Sequence, residues 1–493
     1  MIPLSRLLRT AFWSSAGKLA QVFLNLGTLA LVARVVGPEA LGTVSLAWVA
    51  VGLAELIVSG ALTDSLVQRS ELRRQHTDTI FWTSVLFSVV ACGALVAAPS
   101  PIATLLGGGA ALAAILPLRA ASIPLAAVGS VPRALMQREA RFGLLAGLDT
   151  GAAVASAVLG VCLAISGFGI WSLVAMEVAR TGIVSVGVFV FGRWRPGFAL
   201  GARAFVELLS FNSSTVLGYC VYFADRTLPR LVIGRFLGPE AVGFYAVGER
   251  LYDQLEKVLI GPAREVAMTG AARAQHDPAE LRKLLVGAIQ TSALVVLPAC
   301  LGLVAIAGEI VPWVFGPSWA GAILTVQLLL LRGVRAPIAA FIGSVLRGIG
   351  KPHLNVLLLA VGTAIVAVLA PLATPWGVAG VAFAVLMRSI LVWPLGAWLA
   401  ARSSGLSAGD QFRAGTGPLV ASGLMAVLVW TAQQSATDTV PSSVLVLACV
   451  ALGAISYPLL LKSLAPDSFA ALARLLRSLR RHGSRTPSTP LTH

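Results

Sequence analysis

Charge is what this sequence has least of. Only 12% of its 493 residues are Asp, Glu, Lys or Arg, about half the roughly 25% of a soluble globular chain. A water-soluble fold of this size would lack a polar surface. Cysteine is scarce too: Cys92, Cys162, Cys220, Cys300 and Cys449 each stand alone in an apolar stretch, none in C-x-x-C spacing. That excludes a disulfide framework and a structural zinc site. The five histidines, His76, His276, His353, His482 and His493, lie scattered near loops and ends and offer neither a metal cluster nor a His-based catalytic arrangement. No G-x-x-x-x-G-K-[ST] loop occurs, the nearest string being GIGKPH at 348–353, so ATP is not the direct energy source. Acids are the scarcer charge, 21 against 37 Lys and Arg, for a net +16. The basic residues stand singly or in pairs between apolar runs, without the basic, aromatic-interleaved surface that nucleic acid requires.

What is abundant is apolar: 57% of residues are hydrophobic and the mean hydropathy is +0.86. Apolar segments fall near 11–36, 40–62, 77–98, 111–136, 142–166, 168–191, 205–236, 241–262, 284–308, 318–346, 353–373, 376–400, 414–433 and 441–461. At roughly 20 residues per span, the chain is expected to be an all-α polytopic membrane protein of about fourteen transmembrane helices. The start, MIPLSRLLRTAFWSSAGKLAQ, lacks a cleavage site and reads as a retained first helix. With the N-terminus inside, 25 loop Lys and Arg fall on the inner side and two, Arg34 and Arg235, on the outer. That alternation predicts cytoplasmic termini.

The chain is also expected to be duplicated. Segment 34–42, RVVGPEALG, matches segment 235–243, RFLGPEAVG, at six of nine positions. Each lies in the short turn between the first and second helices of a six-helix unit, where Gly-Pro ends one helix and starts the next. A weaker echo pairs GIWSLVAMEVAR (169–180) with GVAGVAFAVLMR (377–388). The expected organisation is a six-helix lobe over 1–200, a second over 201–404, two additional helices over 405–465 and a cytoplasmic segment over 466–493. An even number of spans per lobe gives parallel repeats related by an axis along the membrane normal. In 467–483, DSFAALARLLRSLRRHG, Phe469, Leu472, Leu475, Leu476 and Leu479 fall largely on one side. That predicts an amphipathic helix on the inner leaflet, followed by a disordered tail.

The stretch AFWSSAGKLAQVFLNLGTLALVARVVGPEALGTVSLAWVAVGLAELIVSGALTDSLVQR (11–69) resembles the start of Wzx-type polysaccharide exporters, particularly the WzxC-like subgroup. The shared pattern is helix, A-R-x-x-G-P-E-x-x-G, helix, Q-R. The resemblance implies the multidrug/oligosaccharidyl-lipid/polysaccharide (MOP) exporter fold, in which two six-helix lobes flip lipid-linked oligosaccharides by alternating access. It also implies a central cavity lined largely by the first, second, seventh and eighth helices, which favours Lys18, Glu55, Arg226 and Arg250 among the in-span charges.

A charge at mid-span costs about 2.5–3.5 kcal/mol on insertion scales, so it faces protein or a wet cavity. Lys18, Gln21, Asn25 and Thr28 form a polar stripe on the first span. The stripe reads either as a cavity wall presenting an ammonium to an anionic substrate or as a snorkelling lysine with amides that join helices. The seventh span holds Tyr219, Tyr222, Asp225, Arg226 and Arg230 around Pro229. Tyr222, Arg226 and Arg230 share a face suited to a pyrophosphate and a sugar, although Asp225 with Arg226 reads equally as a structural pair and Arg230 as interfacial. The eighth span carries Glu249, Arg250, Asp253 and Glu256, with Arg250 a substrate-facing candidate unless the helix is partly exposed. Glu55, Asp64 and Glu249 are ion-coupling candidates. Glu177 and Arg180, one turn apart, are expected to pair. Arg119, Arg332, Arg335 and Arg388 are left undecided.

The expected function is a flippase for undecaprenyl-diphosphate-linked oligosaccharide in the bacterial cytoplasmic (inner) membrane. No catalytic residue, metal or cofactor is expected beyond proton or sodium coupling. The expected partners are the lipid-linked oligosaccharide, membrane lipids, and a polysaccharide polymerase and glycosyltransferases. The alternatives are an ion-coupled small-molecule antiporter of the same fold, which favours an acidic cavity, and a membrane O-antigen polymerase or glycosyltransferase, which favours a large outer loop.

Overall fold

The computed structural model describes residues 21–69, 71–274, 277–404, 407–436 and 440–483. Lys18 and the tail 484–493 lie outside the described residues. Among the described residues there is no strand, and the structure is helical, as the hydropathy pattern requires.

Helices α1 (Gln21–Val36) and α2 (Pro38–Leu56) meet at a glycine turn, and α2 runs on through a π-helical turn at Ile57–Ala61 to α3 (Asp64–Gln68). Then come α4 (Arg74–Ala97), α5 (Pro99–Leu106), α6 (Gly109–Ala120), α7 (Ser122–Arg138), α8 (Phe142–Ile165) and α9 (Ile170–Phe191). An extended linker leads to α10 (Ala202–Leu237), α11 (Pro239–Leu259), α12 (Gly261–Arg273), α13 (Pro278–Phe315), α14 (Ile323–Leu331) and α15 (Ala336–Gly348). The remainder is α16 (Pro352–Leu372), α17 (Gly377–Leu391), α18 (Trp393–Ser404), α19 (Ala408–Ala436), α20 (Ser442–Leu464) and α21 (Pro466–Gly483).

Eleven helical segments among the described residues are long and apolar enough to cross a membrane. The expected first span, 11–36, is described only from Gln21, as the shorter apolar helix Gln21–Val36. The expected spans 205–236 and 241–262 correspond to α10 and α11, which hold many of the charges discussed above and are not among the eleven. Three expected single spans are broken helices, one of them 376–400, which divides at Val392 between α17 and α18. Segment 111–136 divides at Ala121 between α6 and α7, and 318–346 divides at a 3-10 turn, Arg332–Val334, before α15. The backbone groups released at such breaks need partners within the protein. Large apolar side chains stay exposed along these helices, including Leu86, Val89 and Val90 on α4 and Val186 and Val190 on α9, as lipid contact demands.

Two compact units are distinguishable. The first takes in the chain up to Arg250 with Val314–Thr325 and Leu359–Arg388, and the second Leu251–Trp313, Val326–Leu358 and the chain from Ser389 onward. In the first, α7, α8 and α9 pack on one another, and α4 packs on α7. Small residues allow the close approach: a Cβ on Gly160 would press on Met176, and one on Gly129 on Ser185. In the second, α12 packs on α15 and α19 on α20, with Met425, Val429, Leu445 and Cys449 in the core. Helix α21 joins that core through Phe469 and Leu472.

The duplicated turns are alike in detail. Gly37 has φ +84° and Gly238 φ +85°, a left-handed conformation that glycine adopts without strain, and each is followed by a proline that opens the next helix. The linker from α9 to α10 is strapped to the start of α4. Trp82 Nε1 donates to Gly197 O at 2.8 Å, Trp82 stacks on Phe198 at 5.1 Å, and the Ala199 amide donates to the buried Asp78 carboxylate at 3.3 Å.

Candidate functional site

The in-span charges of the first unit meet where α2, α6, α7, α9, α10 and α11 come together. Arg119, near the end of α6, is 3% exposed. Its guanidinium donates to both oxygens of Glu55, at 2.8 and 3.2 Å, and also to the Ser122 hydroxyl. Its Nε lies 3.0 Å from Glu177 Oε2, an ion contact in which neither atom has hydrogen-bond alignment. Glu177 therefore pairs with Arg119 rather than with Arg180 one turn away. Burial supplies the reason, because the Arg119 charge inside the bundle requires carboxylates around it.

One helical turn separates Tyr222, Arg226 and Arg230 on α10, and Glu249 on α11 faces them. Arg230 donates from Nε and Nη2 to the same Glu249 oxygen, at 3.0 and 2.6 Å. Arg226 lies 3.6 Å from the other oxygen. Glu249 is 4% exposed at its side chain, Arg230 14% and Arg226 30%. The three differ in availability: Arg230 is committed to Glu249 and to the Trp48 ring beneath it at 5.1 Å. Arg226 shares the more open side with the Tyr222 ring, 6.0 Å away. Tyr222 is 44% exposed, so a guanidinium and an aromatic face stand open together. Arg250 interacts electrostatically with Glu177, Glu249 and Arg230, which joins the two clusters.

Asp225 does not pair with Arg226. The two are adjacent on α10 and point differently, and Asp225 instead bonds Arg388 of α17 at 2.6 Å and accepts from Thr363 of α16 at 3.0 Å. Asp64 is also apart from the cluster, accepting from the Tyr219 hydroxyl at 3.2 Å beside the π-helical turn. Gln21 and Asn25 are half-buried on α1, while Lys18 of the same stripe lies outside the described residues.

The structure thus brings Tyr222, Arg226, Arg230, Glu249 and Arg250 together, attaches Glu55 to them through Arg119, Glu177 and Arg250, and leaves Asp64 elsewhere. Sequence reasoning missed Trp48, an ordinary apolar-face aromatic by spacing, and Ser122, and it left Arg119 undecided. An arginine inside an apolar run signals a buried partner; which partner is a matter of helix packing. Among the described residues no group of His, Cys, Asp and Glu is arranged to hold a metal ion, and none of the five cysteines is in a disulfide.

In the second unit Arg332 lies over the Tyr252 ring at 4.6 Å. An apolar cleft there is lined by Leu297, Ile338, Trp393 and Phe412, with Arg335 and Gln411 in its wall.

The succinoglycan biosynthesis transport protein ExoT of Rhizobium meliloti (strain 1021) is 28% identical over 344 residues, 70% of this chain and 69% of that protein. The lipopolysaccharide biosynthesis protein WzxC of Escherichia coli (strain K12) is 26% identical over 68% of each chain. In fold, the chain is similar to the lipid II flippase MurJ in an inward closed conformation, with a TM-score of 0.75 at 14% identity over 92% of this chain and 98% of that one. It is also similar to an inward-facing multidrug resistance MATE transporter of the MOP superfamily, with a TM-score of 0.59 at 14% identity over 79% of this chain and 98% of that one. The expected all-α MOP-type fold is therefore the fold observed. Residues 31–324 match the family model described as polysaccharide biosynthesis protein, and the chain belongs to that family.

Proposed function

We propose that this protein flips an undecaprenyl-diphosphate-linked oligosaccharide across the bacterial cytoplasmic membrane, by alternating access, for surface polysaccharide assembly. The observation that carries the reading is the pairing of the half-open Arg226 guanidinium with the exposed Tyr222 ring on helix α10. A diphosphate takes bidentate hydrogen bonds from guanidinium, and a sugar face stacks on an aromatic ring. The named relatives act in polysaccharide biosynthesis, which supports a glycan cargo. Arg250 contributes a second cation, Arg230 holds the site in shape, and Gln21 and Asn25, half-buried on α1, are further polar candidates together with Lys18 of the same sequence stripe. The loop-charge pattern supports cytoplasmic termini, with a polymerase and glycosyltransferases as functional neighbours.

The site's balance disfavours the antiporter alternative. Arg226 and Arg230 both lie against Glu249 and Arg250 interacts with Glu249 and Glu177, so the arginines here are not outnumbered by acids, whereas a receptor for organic cations needs excess acid. The reading assigns no catalytic residue and no resident cofactor.

The test is flipping of a fluorescent lipid-linked oligosaccharide in proteoliposomes, at equal reconstituted protein. Arg226→Ala is expected to lower the rate about tenfold or more, the equivalent of one charge-assisted hydrogen bond lost. Wild-type rates in Arg226→Ala, Arg250→Ala and the double variant would reject the site.

A further inference from the structure

The stretch that begins as α2 does not continue to α3 as a plain α-helix. Over Ile57–Ala61 it takes a π-helical turn, in which the Leu62 amide donates to the Ile57 carbonyl at 3.0 Å. In an uninterrupted α-helix, at about 100° per residue, the step from Glu55 to Asp64 would put the two carboxylates on opposite faces. The extra residue absorbed by the π-helical turn swings Asp64 back by about 100°. There it meets Tyr219 of α10, whose hydroxyl donates to Asp64 Oδ2 at 3.2 Å. Gly60, within the turn, makes the room: a Cβ there would meet the Tyr219 hydroxyl oxygen at 2.7 Å. Turns of this kind inside α-helices are frequent at functional sites.

Tyr219 also stands on the face of α10 that carries Tyr222 and Arg226, since residues three, four and seven apart share a helix face. Counting back from Arg226, Tyr222 is about 6 Å and Tyr219 about 10 Å along the helix axis. That spacing is comparable to the spacing of successive pyranose rings in a glycan. The chemistry changes along this line. Arg226 offers N–H donors and Tyr222 an exposed ring, whereas Asp64 with Tyr219 offers acceptors. The Tyr219 proton is directed at Asp64, which leaves the lone pairs of the phenol oxygen and of the carboxylate. Both residues are half-buried. A pair of acceptors has nothing to give a diphosphate, itself all acceptors, and suits the hydroxyls of a sugar.

We propose that Asp64 and Tyr219 form a glycan subsite: with the diphosphate at Arg226 and the first sugar on the Tyr222 ring, they accept hydrogen bonds from hydroxyls of the next sugar. This rests on the diphosphate reading above. The line from donors to acceptors sets which way the headgroup lies, with the glycan running toward the N-terminal end of α10 and away from Arg230. Asp64, expected from the sequence as an ion-coupling carboxylate, becomes a specificity-determining residue instead. A site built to hydrogen-bond substrate hydroxyls discriminates against a ligand that lacks them, because its polar groups are then left unpaired.

The experiment compares two lipids on the purified full chain in detergent: undecaprenyl diphosphate, and the undecaprenyl-diphosphate-linked oligosaccharide extracted from the cells that make this protein. A dissociation constant is measured for each, and wild type is expected to bind the oligosaccharide-linked lipid more tightly. Tyr219→Phe and Asp64→Asn should each weaken that lipid about tenfold more than the bare diphosphate, as loss of a hydrogen bond to a charged group would. Arg226→Ala should weaken both lipids and keep their ratio. Amide hydrogen exchange of the wild-type protein gives a reading that needs no variant: the oligosaccharide-linked lipid should protect 57–68 beyond the protection given by the bare one. An unchanged ratio in both variants, equal dissociation constants for wild type, or equal protection of 57–68 would overturn the glycan subsite and leave the diphosphate reading standing. Failure of both lipids to bind wild type would overturn the diphosphate reading, and the subsite with it.

Discussion

Gly42 and Gly243 lie at the same place in the two repeats, and each packs against the backbone of the other's turn. A Cβ on Gly42 would collide with the carbonyl oxygen of Pro239, and a Cβ on Gly243 with that of Pro38. The crossing is reinforced nearby, where a Cβ on Gly107 would meet Gly234 O and the buried Trp319 donates its indole N–H to Ala33 O at 3.2 Å. The duplicated glycine-proline turn therefore starts a helix and also lets two helix ends touch.

Substitution at this contact should be costly. Overpacking of a close-packed site destabilises by about 1–3 kcal/mol, and backbone on the opposing side leaves little room to relax. Gly42→Val and Gly243→Val are each expected to lower the melting temperature in detergent. The double variant should lose less than the sum of the singles, because one separation of the two turns relieves both clashes. Strict additivity in a thermal-shift series would show the contacts to be independent.

Arg119 should be needed for stability through its two carboxylates rather than for its own sake. Arg119→Met leaves Glu55 and Glu177 without their shared cation, and removing one partner of a buried pair costs about 3–5 kcal/mol. Severe loss of folded protein in size-exclusion chromatography is expected. The triple variant Arg119→Met, Glu55→Gln, Glu177→Gln should recover much of it, since no buried charge is then left unpaired.

The Asp225–Arg388 pair, 10% and 17% exposed, invites the same logic as a double-mutant cycle. Asp225→Asn and Arg388→Leu should each destabilise, and the double variant should be closer to wild type than either single. A coupling energy below about 0.5 kcal/mol would place the two as independent.

The strap between α9 and α10 should depend on Asp78. Asp78→Ala removes the acceptor of the half-buried Ala199 amide, and loss of one such hydrogen bond costs about 0.5–1.5 kcal/mol. Limited proteolysis should then cut within 192–201 faster than in wild type. An unchanged cleavage pattern would assign the strap's hold to the Trp82 contacts instead.

Much of this molecule is written in local chemistry. Hydropathy alone dictates an all-helical chain built for a membrane, since backbone polar groups in lipid must be satisfied within a helix. The RVVGPEALG and RFLGPEAVG strings dictate two equivalent turns, because Gly fixes the left-handed residue and Pro the first residue of the next helix. Tyr222, Arg226 and Arg230 share a face simply because helical spacing puts them there. Where helices break was less legible: the divisions at Ala121 and at Arg332–Val334 lie inside apolar runs that hydropathy reads as continuous.

Partner choice is what only the tertiary structure decided. Nearest-neighbour reasoning pairs Glu177 with Arg180 and Asp225 with Arg226, yet Glu177 meets Arg119 and Asp225 meets Arg388. Arg119 and Glu55 are 64 residues apart in the chain. A charge held within apolar packing takes the counter-charge that the neighbouring helices present to it, and that is set by how six helices cross, which no local pattern encodes. The same crossing leaves Arg226 half-open beside Tyr222 while Arg230, one turn on, is consumed by Glu249 and Trp48.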